Sequence, residues 1–134
     1  YVTDWRIFHQ VLKEKPDPNI QIHHTDMNTW EPVAVENGMP SKLSDKTGCY
    51  GMYHATVLLA GQDEKVPLSI YFYRICGEIE VFINGIKKKE AVCGFYDDLE
   101  VPVAYTQEPL NILVSVKCNL KKAGIGNVVV LKRG

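Results

Sequence analysis

Beyond residue 50 the apolar residues recur at every second position, and this period is that of a strand with one buried face rather than of a helix. Tyr53, Ala55, Val57 and Leu59 alternate with His54, Thr56 and Leu58, and a polar turn, Gly61 to Glu64, follows before Pro67. Leu68, Ile70 and Phe72 alternate with Ser69, Tyr71 and Tyr73; Ile79, Val81 and Ile83 alternate with Glu78, Glu80 and Phe82. Asn84-Gly85 comes next, a dipeptide that tolerates positive φ at both central positions of a two-residue hairpin turn, so a tight reversal is predicted there. Further strands are predicted around Glu90 to Cys93, from Leu99 to Val103, along Leu110, Ile112, Val114 and Val116, and from Val128 to Leu131.

The first 47 residues carry a weaker pattern. Trp5, Phe8, Val11 and Leu12 recur at helical spacing after Asp4, yet Val2 to Phe8 fits an edge strand equally well, and Pro16 and Pro18 end either one. Residues 13–29 suit an extended crossing, Trp30 to Val35 a short strand with Trp30 in the core, and Glu36 to Lys46 a loop. Seven or eight short strands without interleaved helices predict an all-β fold, an antiparallel β-sandwich or jelly roll. A single domain is expected over residues 1–134, with 1–27 as a lead-in and 28–131 as the sandwich core.

Composition narrows the classes of partner. At 46% hydrophobic and 23% charged residues the chain has the make-up of a folded domain. Fifteen basic and sixteen acidic residues leave a net charge of −1, which offers no field to draw the protein onto nucleic acid or an anionic membrane. No apolar run nears the roughly 20 residues of a membrane span, and a chain that opens on Tyr1 without a signal region is expected to be an excised domain. Cys49, Cys76, Cys93 and Cys118 form no Cys-x-x-Cys pair, so a thiolate metal site is not indicated. They permit three disulfide connectivities, but three of them abut apolar segments, and reduced core cysteines are expected.

Several segments together carry a resemblance: GCYGMYHATV from Gly48 to Val57, a strand ending at Arg74, GEIEVFING from Gly77 to Gly85, FYDD from Phe95 to Asp98, and EPLNILVSV from Glu108 to Val116. In that order they resemble the galactose-binding-like jelly roll of the accessory domains of family 2 (β-galactosidase-like) glycoside hydrolases and of many carbohydrate-binding modules. Upstream, PDPNI from Pro16 and DMNTW from Asp26 resemble the lead-in of such domains. The resemblance implies a non-catalytic carbohydrate-binding module of a larger enzyme, with carbohydrate and the catalytic module of the same parent chain as partners. It equally implies an alternative, a structural accessory domain that binds no sugar and braces the catalytic module or an oligomer interface. A secreted or periplasmic location follows from the family alone.

A sugar site needs an exposed aromatic ring for the apolar face of a pyranose and polar groups for its hydroxyls. Tyr50, Phe95, Tyr96 and Tyr105 are the aromatic candidates and Asp97 a polar one, against the alternative that Tyr50 and Tyr96 merely close the sandwich end. Asp97, Asp98 and Glu100 are the set that would suit a structural calcium ion, against solvated turn acids; no other metal or cofactor is implied. For catalysis, Cys49 with His54 is the candidate nucleophile and base, and His23-His24 a candidate metal pair, each lacking a third orienting group. Adjacent Asp97 and Asp98 on a strand would face opposite ways and cannot flank one glycosidic bond. The catalytic carboxylates of family 2 enzymes sit in a barrel of roughly 250 residues, beyond the length of this chain. Lys87 to Lys89 fit the guarding of a sheet edge.

Overall fold

A computed structural model of the chain describes residues 6–7, 31–32, 48–59, 68–94, 97–104, 106, 108–118, 124–125 and 128–132. Among them lie ten strands and no helix: β1 (Arg6–Ile7), β2 (Glu31–Pro32), β3 (Tyr50–Val57), β4 (Leu68–Phe72), β5 (Ile75–Ile83), β6 (Ile86–Cys93), β7 (Leu99–Val103), β8 (Leu110–Lys117), β9 (Gly124–Ile125) and β10 (Val128–Lys132). They form two antiparallel sheets. The larger has the order β2-β1-β3-β8-β5-β6, with β9 pairing the start of β5, and the smaller the order β10-β4-β7. This is the all-β sandwich expected from the alternation. At Arg6–Ile7 the strand alternative is the one adopted, and of the segment Trp30 to Val35 only Glu31–Pro32 is a described strand. The His23-His24 pair, Trp30, Phe95, Tyr96 and Tyr105 lie outside the described residues.

The inward positions are those the two-residue period selects. Tyr53 and Ala55 of β3, Ile79, Val81 and Ile83 of β5, and Ile112, Val114 and Val116 of β8 pack with Leu68, Ile70, Phe72, Leu99, Val101 and Val128 of the smaller sheet in one core. Each such side chain taken out of water contributes about 1.5–3 kcal/mol, enough in sum to hold two sheets together without disulfides. Strand β8 is buried beyond its inward face: Leu113 is 1% exposed and Ser115 4%, and Met52 opposite Ser115 on β3 is fully buried. A strand stretch buried on both faces needs little polar surface, and Leu113 accordingly stands where strict alternation would place a polar residue.

The connections follow turn chemistry. Asn84 (φ +50°) and Gly85 (φ +84°) form the reversal between β5 and β6, as predicted from the dipeptide. The Asn84 Oδ1 accepts from the Asn111 backbone N–H at 2.8 Å, and the Asn84 N–H donates to the Asn111 carbonyl at 2.9 Å, so the turn is tied to β8. Pro102 sits in β7, an outer strand of the smaller sheet, where a missing N–H costs no ladder bond on the open side. Lys87, Lys88 and Lys89 lie exposed on β6, at the end of the larger sheet's order, as expected of residues that guard an edge.

Two buried hydroxyls, those of Tyr53 and Ser69, find no hydrogen-bond partner among the described residues, and burial pushes the Tyr53 pKa strongly upward. An unsatisfied buried hydroxyl costs stability, so Tyr53→Phe is expected to leave the domain as stable or to stabilise it by about 1 kcal/mol in urea unfolding. A loss of more than about 1 kcal/mol would show that the hydroxyl is bonded.

Candidate ligand groove

The outward face of the larger sheet carries the polar counterpart of the core. Register alone builds it: Tyr50 on β3 lies opposite Lys117 on β8, Lys117 opposite Glu78 on β5, and Glu78 opposite Val92 on β6. One step along, Ser115 lies opposite Glu80, and Glu80 opposite Glu90. These residues, together with Ile79 and Ala91, whose side chains turn to the core, line a shallow depression of about 100 Å³.

Its charges are ordered. The Lys117 Nζ stands 3.4 Å from Glu78 Oε2 and 5.6 Å from the centroid of the Tyr50 ring, a separation at which an ammonium is attracted to the ring face. The Lys87 Nζ bridges two carboxylates, at 3.4 Å from Glu80 Oε2 and 3.0 Å from Glu90 Oε2. Its hydrogen bond to Glu90, then the charges of Glu90 and Glu80, raise the Lys87 pKa and keep it an ammonium. Without that ion, Glu80 and Glu90 would face each other as like charges across two strands.

Gly77 fixes the near end of the groove. It has φ +119°, and a Cβ there would lie 2.6 Å from the Lys117 carbonyl oxygen and 3.0 Å from Val116 Cγ1. The absence of a side chain lets β5 approach β8 where Glu78 and Lys117 meet. Gly48, with φ +87°, lies just before β3 and so precedes Tyr50 by two residues.

The other sequence candidates are placed differently. Asp97 does not line the groove: its Oδ2 accepts from the Gly94 N–H at 2.6 Å, its own N–H donates to the Gly94 carbonyl at 3.2 Å, and its carbonyl accepts from the Ile75 N–H at 3.0 Å. It closes a turn. Asp98 Oδ2 accepts from the Tyr71 hydroxyl at 3.0 Å, a bond that raises the Tyr71 pKa. Among the described residues no three His, Cys, Asp or Glu side chains are grouped to hold a metal ion, and Asp97 and Asp98 have these other engagements. The Cys49 and His54 pairing is corrected by the strand itself. Five residues of extended chain separate them by about 17 Å, and odd spacing turns their side chains to opposite faces. His54 instead bonds Asn111, while burial, the larger effect, lowers its pKa and leaves the imidazole neutral at pH 7.

Of the predicted ligand residues the structure thus sets Tyr50 in a groove and Asp97 in a turn. Glu78, Glu80, Glu90, Ser115 and Lys117 were missed as a group because they come from three strands, though each occupies the polar phase of an alternating run. The Tyr71 and Tyr73 rings, 4.9 Å apart and edge to face, were also missed; their two-residue spacing was the available signal.

Comparison with known proteins locates the fold. No family model matches the chain, and no curated protein does. Among solved structures, a glycosyl hydrolase family 2 member from Bacteroides cellulosilyticus matches with TM-score 0.69 at 15% identity, over 98% of this chain and 20% of that one. The β-glucuronidase of Bacteroides uniformis matches with TM-score 0.71 at 14% identity, over 97% and 17%. The β-glucuronidase of Faecalibacterium prausnitzii matches with TM-score 0.65 at 17% identity, over 87% and 20%.

The role of Gly77 is open to a direct check. Gly77→Ala is expected to cost about 2 kcal/mol or more in urea unfolding, from strain at positive φ and the contact with β8. Gly94→Ala, whose Cβ would meet, among the described residues, Asp97 Oδ2 at 3.5 Å, is expected to cost less than about 1 kcal/mol. Equal losses at the two glycines would contradict the close approach at Gly77. The chain thus has the fold of a domain-sized stretch of the solved family 2 glycoside hydrolases it is similar to, and it spans about a fifth of their length.

Proposed function

We propose that the chain is a non-catalytic module of a larger glycoside hydrolase and that it contacts carbohydrate at the Tyr50 groove. The observation that carries this reading is the convergence of an aromatic ring, an ammonium, three carboxylates and the Ser115 hydroxyl on one concave patch. A pyranose offers an apolar face to a ring such as Tyr50, and its hydroxyls both donate to carboxylates and accept from an ammonium. The volume of about 100 Å³ is well below the roughly 300 Å³ at which pockets begin to engulf a ligand, so the fit is to a stretch of glycan laid across the sheet. Catalysis is assigned to the rest of the parent chain: glycoside hydrolysis needs two carboxyls flanking one scissile bond, whereas Glu80 and Glu90 are both held by the single Lys87 ammonium. The parent is placed outside the cytoplasm, where polysaccharide is met, with its own catalytic module as the domain's other partner.

A second reading rests on β6 itself, which ends the larger sheet's order with Ile86 59% exposed on the face away from the groove and Val92, 71% exposed, at the groove's rim, an edge that a neighbouring domain would cover. On that reading the domain braces the enzyme and binds no sugar.

Calorimetry of the domain against galactose-, mannose-, xylose- and glucose-based polysaccharides separates the two. Binding to at least one glycan is expected, weakened tenfold or more by Tyr50→Ala and unchanged by Tyr73→Ala. Failure to bind any of them, with the β-sheet circular dichroism intact, would establish the bracing role instead.

A further inference from the structure

The four cysteines, scattered along the sequence, meet at one end of the larger sheet. Cys49 immediately precedes β3, Cys76 lies at the start of β5, Cys93 ends β6, and Cys118 immediately follows β8. All four are reduced in the structure; Cys49 is partly exposed, while Cys76, Cys93 and Cys118 are 1%, 5% and 0% exposed.

Two of them are in cross-strand register. Tyr50 pairs with Lys117, and one further step sets Cys49 opposite Cys118. The backbone confirms the step: the Cys118 N–H donates to the Cys49 carbonyl at 2.9 Å, and the Gly48 N–H donates to the Cys118 carbonyl at 2.6 Å. With Gly48 at φ +87°, this is the bonding of a G1 bulge, in which Gly48 and Cys49 together oppose Cys118. Directly opposed residues of a hydrogen-bonded antiparallel pair have Cα atoms about 5.5 Å apart and side chains on one face. Disulfides span Cα separations of about 4.4–6.8 Å, most often near 5.5–6 Å.

The other pairings fit less well. Cys93 lies opposite Gly77, and the β5–β8 register, Glu78 with Lys117, carries Gly77 to the level of Cys118 on its other side. Cys93 and Cys118 are therefore two strand spacings apart, roughly 9.5 Å, which is too far for a bridge. Cys76 is one residue out of register with both, yet its thiol lies near enough to those of Cys93 and Cys118 for the charges to interact, which makes it the competing partner.

We propose that Cys49 and Cys118 are a redox modification site, closing to a cross-strand disulfide that staples β3 to β8 beside Tyr50 and Lys117. The oxidant is a small disulfide such as oxidised glutathione. The Cys49 thiolate, the most accessible of the four, attacks one sulfur of that disulfide; the glutathione S–S bond breaks, a mixed disulfide forms and one glutathione leaves as thiol. The Cys118 thiolate then attacks Cys49 Sγ, the mixed S–S bond breaks and a second glutathione leaves. Two protein thiols are oxidised by two electrons, one glutathione disulfide is reduced, and the two protons pass to the leaving thiols. This inference is independent of sugar binding.

The test is to hold the folded domain in oxidised glutathione or in dithiothreitol, quench with acid, count thiols by alkylation under denaturing conditions and map the linked peptides. Four thiols are expected after dithiothreitol and two after oxidised glutathione, with Cys49 joined to Cys118 and the oxidised form melting several degrees higher, as a link between remote residues predicts. Cys49→Ser, at the partly exposed position, is expected to fold, to keep three thiols under oxidation and to show no rise in melting temperature. Four thiols persisting in the unmodified chain, a glutathione adduct stalled on Cys49, or a link through Cys76 or Cys93 would overturn the assignment.

Discussion

Strand β8 is the member on which the larger sheet depends. It pairs with β3 along eight consecutive positions, from Tyr50 and Lys117 to Val57 and Leu110, and with β5 along six. Its inward residues Ile112, Val114 and Val116 are fully buried, and Leu113 and Ser115 on its other face are nearly so. Removing such a strand would leave one edge of β3 and one edge of β5 unpaired and open the core between the sheets, so its two seams are bound to be the most protected part of the fold. At one end of the β5 seam, Gly77 admits a contact with the Lys117 carbonyl that no other residue type could make without displacement.

The groove is a consequence of those seams. Once β3, β8, β5 and β6 are held in register, the alternation that turns Val116, Ile79 and Ala91 inward necessarily turns Tyr50, Lys117, Glu78 and Val92 outward in one row. The lysines are then required by the acids: without Lys87, Glu80 and Glu90 would oppose each other directly, and without Lys117, Glu78 would lack its partner at 3.4 Å. Charge pairs of this exposure contribute little to stability, typically below about 1 kcal/mol. Their placement therefore bears on what the surface presents to a ligand more than on why the domain folds.

What could be read from the sequence follows the same division. The core was legible because burial of one face imposes a two-residue period, and Leu68–Phe72, Ile79–Ile83 and Leu110–Val116 show it on their inward positions, with Phe82 and Leu113 as apolar residues in the other phase. The Asn84-Gly85 turn was legible because few residues accept its backbone angles. The hairpin strand β6 was seen only from Glu90 because Lys87 to Lys89 interrupt the period at the bulge near Val81 and Phe82. The two-residue strand β9 escaped notice, being too short to show a period and defined only by its pairing with Ile75 and Cys76. The site was half legible: Tyr50 was named, but its partners come from β5, β6 and β8, and which of them share a row depends on register, which no single strand encodes. Asp97 was named because a turn acid and a binding acid have the same composition around them; in the structure it bonds Gly94 and lies away from the groove.

The central claim is that the outward face of β3, β8, β5 and β6 is where this domain meets carbohydrate. Its most direct measurement is a titration of the isotope-labelled domain with oligosaccharides of a polysaccharide it retains, followed by amide chemical shifts. The account predicts saturable shifts centred on Tyr50, Glu78, Glu80, Ser115 and Lys117. Shifts confined to the segments Gly94 to Asp98 and Ala104 to Pro109, with the groove silent, would contradict it.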